Sequence, residues 1–202
     1  MDHGVDNDVE GPARQTDETR REVVRWLWRL PVLAALGGAG WGMWEAYRVH
    51  FSKVDPDTPA FVPLTPQRAA ALGDLQELWS AATFELNTAS GTTPALVMRV
   101  PEGVPGGLEH AGGHYAAFSR VCTHQGCPVG LQRDLETLAV GFNYRTDTPA
   151  LACACHLSVF APLQAGRAVS GPARDPRPRV QLERRGDELW AVGLEAPARL
   201  EL

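Results

Sequence analysis

The chain has 202 residues, 44% of them hydrophobic, and a formal net charge of −5 at pH 7. A chain of this length accommodates one compact domain with a tail or an anchor, rather than two full domains. Its acidity is mild and its basic residues are scattered, so it lacks the electrostatic footprint of a nucleic-acid-binding protein, and nucleic acid is excluded as a partner.

The first 47 residues differ in character from the rest of the chain. Residues 1–19 are polar and acidic, which is typical of a disordered tail. An uncharged run from Leu30 to Trp44 follows four arginines, which are Arg20, Arg21, Arg25 and Arg29. At ~1.5 Å per residue this run spans only ~22 Å of a ~30 Å hydrocarbon core, so flanking apolar and tryptophan residues must complete the crossing. We therefore predict one transmembrane helix over residues 20–47.

The arginines also predict the orientation of this anchor. Positive charge concentrated before the apolar run leaves the tail in the cytoplasm and places everything after the helix outside. The pair Arg20-Arg21 resembles a twin-arginine export signal, and a cleaved secretory signal is the alternative. Residues 48–60 contain prolines between apolar residues and are expected to form an extended linker.

Residues 61–202 predict an antiparallel β domain. Short apolar runs are separated by Gly, Pro, Asn and Asp at the spacing of hairpins. A helical turn is predicted over 67–72, and the long stretch "LQRDLETLAVGFNYRTDTP" is expected to add a hairpin. The predicted strands are 61–64, 81–86, 95–100, 115–121, 138–142, 151–154, 159–163, 179–182 and 189–194.

The chemistry of the chain is concentrated in two short loops. All four cysteines lie there, in "VCTHQGCPVG" and "LACACHLSVF", and each loop also holds a histidine. The six side chains are Cys122, His124, Cys127, Cys153, Cys155 and His156. A structural zinc site would leave two cysteines idle and lacks the usual ligand spacing. Covalent haem attachment requires C-x-x-C-H, where this chain has C-x-C-H. A catalytic thiol would not use the duplicated pattern.

The two loops resemble the C-T-H-x-G-C and C-x-C-H-x-S boxes of Rieske iron-sulfur proteins. In Rieske centres two histidines replace two cysteines on one iron of a 2Fe-2S cluster and raise its potential. The resemblance implies that Cys122 and Cys153 bind one iron and that His124 and His156 bind the other. It also implies an all-β fold, an antiparallel Rieske-type sandwich over residues 61–202 with a cluster-binding subdomain.

The resemblance extends to residues around the cluster. It implies a disulfide between Cys127 and Cys155, which suits an exported domain, and a hydroxyl of Ser158 that donates to a cluster sulfur. Residues 170–174, "SGPAR", resemble the loop that covers the cluster. Phe160 stands where quinol-oxidising relatives often carry a tyrosine, which predicts a lower potential and favours menaquinol as the quinol. Gln125 stands where a leucine commonly shields the docking tip.

The resemblance with the predicted disulfide favours a membrane electron-transfer protein. We expect the Rieske subunit of a cytochrome bc-type quinol:cytochrome c oxidoreductase, which is not a complete enzyme alone. Its predicted partners are quinol, cytochrome b and a c-type cytochrome, and its predicted place is the bacterial cytoplasmic membrane, single-pass, with the cluster domain outside. His156 and His124 are the predicted catalytic residues, because their rings would meet the quinol.

Two rivals belong to other functional classes. The chain could serve as the electron-relay small subunit of another exported oxidoreductase, such as arsenite oxidase, in which no quinol docks on it. It could also be a non-redox module whose loops hold zinc or only disulfides. Copurifying partners discriminate the first rival, and electron paramagnetic resonance discriminates the second, because a zinc site is silent.

Overall fold

The computed structural model describes residues 13–56 and 58–196, with backbone only for 13–19 and for His50. The chain divides between Ala46 and Tyr47 into two compact units. The first consists of most of one helix, and the second contains all the strands.

The helix α1 runs over Ala13–His50 and contains Pro31. It confirms the predicted helix but starts earlier and ends later, so residues 13–19 of the predicted tail are helical, and residues 1–12 lie outside the described part. Within the described residues, no helix has both the length and the apolar character needed to cross a membrane. The predicted crossing is therefore not supported by hydropathy. Arg25 and Arg29 interrupt the first half of the predicted span, and four glycines dilute the uncharged run.

In the part of the chain that the structure describes, eleven strands form three antiparallel sheets, as predicted for the all-β domain. The sheet orders are β1-β11-β10, β2-β3-β5-β4 and β6-β7-β8-β9. The strands are β1 (Phe61–Ala71), β2 (Ala81–Thr88), β3 (Gly91–Val100), β4 (Leu108–His110), β5 (Gly113–Ser119), β6 (Gly130–Gln132), β7 (Ala150–Cys153), β8 (Ser158–Ala161), β9 (Arg167–Ser170), β10 (Val180–Arg185) and β11 (Glu188–Glu195).

Two local predictions are wrong. The predicted turn at 67–72 is mostly strand, because β1 continues to Ala71 against β11 before a 3-10 turn at Leu72–Leu75. The predicted strand at 138–142 and its hairpin are replaced by the helix α2, Leu135–Gly141. Asp134 caps this helix, since its side chain accepts hydrogen bonds from Glu136 N at 3.0 Å and from Thr137 Oγ1 at 2.6 Å.

The apolar run of β3 serves two cores. Successive strand residues face opposite sides, so Ala95 and Val97 enter one core while Leu96 and Met98 enter the other. The base core lies between the first two sheets; its members include Leu86, Ala95, Val97, Val180, Leu182 and Leu189. The loop-side core joins β3 and β5 to the third sheet; its members include Leu96, Met98, Phe118, Leu151, Phe160, Cys122 and Cys153. The third sheet thus carries the second cysteine loop between β7 and β8, and the first cysteine loop connects β5 to β6 beside the same core.

Candidate metal centre

The first loop is a tight hairpin closed by a bridge between Val121 and Pro128. Cys122 N donates to Cys127 O at 2.8 Å, and Gly126 N donates to Cys122 O at 2.9 Å. Gly126 has a φ of +74°, a conformation that glycine adopts without strain. The fold buries Cys122 and leaves His124 half-buried at the tip.

The second loop is the β7–β8 hairpin. Cys153 ends β7 opposite Ser158, the first residue of β8, and both are fully buried. Directly opposed residues project to the same face of a sheet, which places the Ser158 hydroxyl beside the Cys153 thiol on one side. Between them, Cys155 and His156 are exposed at the turn.

The structure brings together all six predicted side chains of the two loops. Cys127 and Cys155 form a disulfide, as predicted, while Cys122 and Cys153 are free and buried. The rings of His124 and His156 lie 4.9 Å apart between centroids, in an edge-to-face arrangement. The thiols therefore face the interior and the imidazoles face the surface, with the disulfide joining the two loops.

Burial is the largest influence on the pKa of the Cys122 thiol. It raises the pKa of the Cys122 thiol, a hydrogen bond from the His124 backbone opposes the rise, and the Cys153 thiol adds to it. A neutral thiol must therefore lose its proton when it binds a metal. His124 Nδ1 is buried and has no hydrogen-bond partner among the described protein atoms. A buried, unpartnered imidazole nitrogen is disfavoured unless a ligand or metal takes it.

A third loop, residues 171–174, follows β9 and covers the site. Ala173 N donates to the buried Ser158 Oγ at 3.1 Å, which leaves the hydroxyl proton free to donate elsewhere. Gly171 has a φ of +77°, and a Cβ there would lie 2.4 Å from Leu157 O. Only glycine allows the loop to approach the second hairpin this closely.

The segment before β1 binds this covering loop. Lys53 Nζ donates to the carbonyl of Ala173 at 2.7 Å and also to that of Gly171. Val54 N donates to Arg174 O at 3.0 Å. Burial, followed by the charge of Arg174, lowers the pKa of Lys53. Part of the predicted linker is thus held against the site.

Two of the residues around the site were not singled out from the sequence. Lys53 lies in the predicted linker, and Arg177 lies fully buried after the covering loop. No local sequence pattern predicts the burial of either residue, because a basic residue among prolines is expected to be solvated.

The donor set fits an iron-sulfur cluster. Two buried thiols offer sulfur ligands, and two neighbouring imidazoles, one with an unsatisfied Nδ1, offer nitrogen ligands. A hydroxyl with a free proton and a close-packed glycine loop stand beside them. These are soft and borderline ligands, as iron-sulfur chemistry requires.

Residues 73–184 match the Rieske [2Fe-2S] domain family. This chain belongs to that family. A 2Fe-2S cluster is accordingly its cofactor, and the Rieske antiparallel β fold is confirmed.

Several relatives are named as parts of oxidoreductase complexes. The cytochrome bc1 complex Rieske iron-sulfur subunits of Corynebacterium diphtheriae and Corynebacterium glutamicum are 36% identical over 70 residues, which cover 35% of this chain and 14% of theirs. The iodate reductase subunit IdrB of Pseudomonas sp. (strain SCT) is 25% identical over 123 residues, covering 61% of this chain and 58% of its own. The chain thus spans only about a seventh of the length of the bc1 subunits.

One solved structure is also among the similar proteins. The soluble domain of the Rieske protein II (soxF) from Sulfolobus acidocaldarius is 24% identical, with a TM-score of 0.49, and the match covers 66% of this chain and 80% of that one.

Proposed function

We propose that this chain is the Rieske electron-transfer subunit of a cytochrome bc-type quinol:cytochrome c oxidoreductase. The observation that carries the proposal is the polarity of the site, with buried thiols at its base and His156 exposed at its mouth. A donor that delivers an electron together with a proton needs such an exposed imidazole. The bc1 subunits among its relatives support the choice of quinol as that donor.

We propose the ligand set that the sequence predicted. Cys122 and Cys153 hold one iron through their buried sulfurs, and His124 and His156 hold the other through ring nitrogens. The bound cluster supplies one-electron chemistry at a raised potential. Thiolates in the interior and imidazoles at the surface would keep the more negative ligands away from an approaching substrate.

His156 then handles the proton. The ring nitrogen that does not hold iron must be without its proton to accept a hydrogen bond from the quinol hydroxyl, and it would then take up the proton that leaves with the electron. His124 is half-buried and stands edge-on to His156, so it fixes one wall of the docking mouth. Leu157, which is 47% exposed beside His156, offers an apolar contact for a quinone ring.

Cytochrome b and a c-type cytochrome are the proposed partners, with menaquinol as the candidate quinol. Motion between them would use the linker at 48–60. The contacts of Lys53 and Val54 with the covering loop must break for this linker to extend fully. We also propose that the chain works at the bacterial cytoplasmic membrane with the cluster domain outside, which the uncharged run of α1 after its arginines supports.

A second candidate is the electron-relay subunit of another exported oxidoreductase, in the class of arsenite oxidase. The relatives named iodate reductase subunit IdrB favour it, since one of them matches a larger part of this chain than the bc1 subunits do. In that role the chain passes electrons to or from a catalytic subunit, and no quinol contacts His156.

Copurification decides between the two. Tagged full-length chain is isolated from native membranes, and the preparation is assayed for b-type and c-type haem and for quinol:cytochrome c reduction. We expect both haems and an activity that disappears with tagged Cys153→Ser. A preparation that instead contains an oxyanion reductase or oxidase subunit, without b-type haem, contradicts the bc-type proposal. The proposed location is tested by adding protease to intact cells whose outer envelope has been permeabilised and asking whether residues 61–202 are cleaved.

A further inference from the structure

A buried arginine stands behind the two thiols. Arg177 is 0% exposed, the largest fully buried side chain among the described residues. Its Nη1 donates to Val121 O at 2.6 Å, the carbonyl that precedes Cys122. Its Nε and Nη2 have no hydrogen-bond partner among the protein atoms described. No described carboxylate forms a salt bridge with it, whereas Arg179, two residues later, pairs with Glu195.

The surrounding residues are arranged to admit this side chain. The guanidinium carbon lies 5.1 Å from the ring centroid of Phe160, which is itself fully buried in the loop-side core. Gly166, with a φ of +76°, leaves the space, because a Cβ there would lie 2.9 Å from Arg177 Cβ. Arg177 N also donates to Gly166 O at 2.8 Å. The backbone and the glycine thus hold the arginine in one place.

An unpaired charge is costly to bury, since removing an ion from water is offset only by a nearby opposite charge. Burial lowers the pKa of Arg177 to about 10, and the charges of Cys122 and Cys153 oppose that fall. The group is therefore still a cation at neutral pH. The negative charge that would offset its burial is that of the two cysteines when they bind metal as thiolates.

We propose that Arg177 is a potential-setting residue, a buried cation that stabilises the reduced cluster and raises its midpoint potential. Reduction by one electron adds one negative charge at the site, and a fixed cation in a low-dielectric interior favours that state. This rise opposes the lower midpoint potential that is expected from phenylalanine at position 160. The residue at position 160 therefore does not set the potential alone. The proposal rests on the cluster and on Cys122 and Cys153 as ligands, and it is independent of quinol.

The test compares variants of the complete, cluster-loaded chain by redox titration followed by electron paramagnetic resonance. Arg177→Met removes the charge and keeps the length and apolar stem, and an apolar replacement of a buried charge commonly preserves folding. We expect a lower midpoint potential in Arg177→Met and a near-normal one in Arg177→Lys. Arg167→Met is the control, because Arg167 is partly exposed and pairs with Asp55, so its charge is screened by solvent. Arg177→Gln takes the place of the Met variant if that variant does not fold.

Iron content and the resonance spectrum separate the possible outcomes. A normal iron content with an unchanged potential in Arg177→Met or Arg177→Gln overturns this proposal and leaves the proposed function intact. An equal fall in Arg177→Met and Arg177→Lys also overturns it, since packing and not charge would then be responsible. Wild-type protein without iron overturns the cluster assignment itself.

Discussion

The base core and the loop-side core differ in what they bury. The base core encloses apolar side chains between two sheets, mostly aliphatic with Tyr115 among them, and their burial stabilises it. The loop-side core includes two free thiols, and Arg177 packs against its Phe160. Neutral thiols are buried as readily as small apolar groups, but burying an unpaired cation is unfavourable by itself. The comparison teaches that one core supports the fold, whereas the other is complete only with a ligand.

The largest effect is expected from replacing one of the two cysteines in the loop-side core. Cys153→Ser or Cys122→Ser should abolish cluster binding, because a serine oxygen is a poor substitute for a thiolate on iron. Iron and acid-labile sulfide analysis with electron paramagnetic resonance measures the loss, and circular dichroism should still show the β fold. Ala152→Ser adds a hydroxyl next to Cys153 on the other face of β7 and should keep the cluster. A full complement of iron in both cysteine variants would remove the ligand proposal.

A matched change in the base core should do the opposite. Leu86 is fully buried there, so Leu86→Ala should lower the free energy of unfolding by ~2–5 kcal/mol. The cluster spectrum should not change, since the side chain lies in the other core. Denaturant unfolding measures the loss, with Leu78→Ala as the control at a position that is 57% exposed. A Leu86→Ala protein that loses its cluster while still folded would show that the cores are not separable.

Loss of the disulfide is expected to have a comparable effect on stability, and a smaller effect on the cluster than loss of a cysteine ligand. Cys127 and Cys155 are separated by 28 residues. The double variant Cys127→Ala, Cys155→Ala removes this cross-link, so the unfolded chain gains conformational entropy and the free energy of unfolding should fall by roughly 3–4 kcal/mol. The two loops would no longer be joined, and the cluster should be lost faster to a chelator. Following cluster absorbance over time in chelator checks this, with dithiothreitol-treated wild type as a second route to the same state. Equal rates of cluster loss in variant and wild type would contradict a latching role.

The two cysteine loops were easier to recognise in the sequence than the individual strands around them. Metal ligands must be particular residue types at short spacing, so the two loops were visible without any knowledge of the sheets. Strands β4, β6 and β9 have only three or four residues, too few for an alternating pattern. The run at 138–142 was ambiguous between helix and strand, and Asp134 with Thr137 was the capping signal that could have decided it.

Long-range contacts account for what the sequence could not show. Arg177 reaches Val121 across 56 positions, and Lys53 reaches Ala173 across 120. Nothing local distinguishes these cations from solvated ones. Their burial follows only from the way the covering loop and the segment before β1 pack on the second hairpin.

A smaller effect is expected from removing the hydroxyl of Ser158. It shows whether this hydroxyl donates a hydrogen bond to the cluster or only accepts one from Ala173 N. Ser158→Ala removes the predicted donor to the cluster and should lower the midpoint potential by roughly 20–65 mV. That range is a hydrogen bond of ~0.5–1.5 kcal/mol converted at ~59 mV per tenfold for one electron. Protein-film voltammetry measures it, and Ser170→Ala on β9 is the control. A potential that stays within error of wild type would mean that the hydroxyl only accepts from Ala173 N.

The smallest expected effect comes from Phe160→Tyr. The added hydroxyl offers a second hydrogen bond to the site, so the potential should rise, as the resemblance to quinol-oxidising relatives implied. The ring is fully buried with Arg177 against it, so the new group has little room to reach ideal geometry. A bond at the weak end, ~0.5 kcal/mol, corresponds to only ~20 mV. A fall in the midpoint potential, measured by voltammetry, would mean that the new hydroxyl displaces Arg177. The potential would then depend more on this buried cation than on hydrogen bonds to the site.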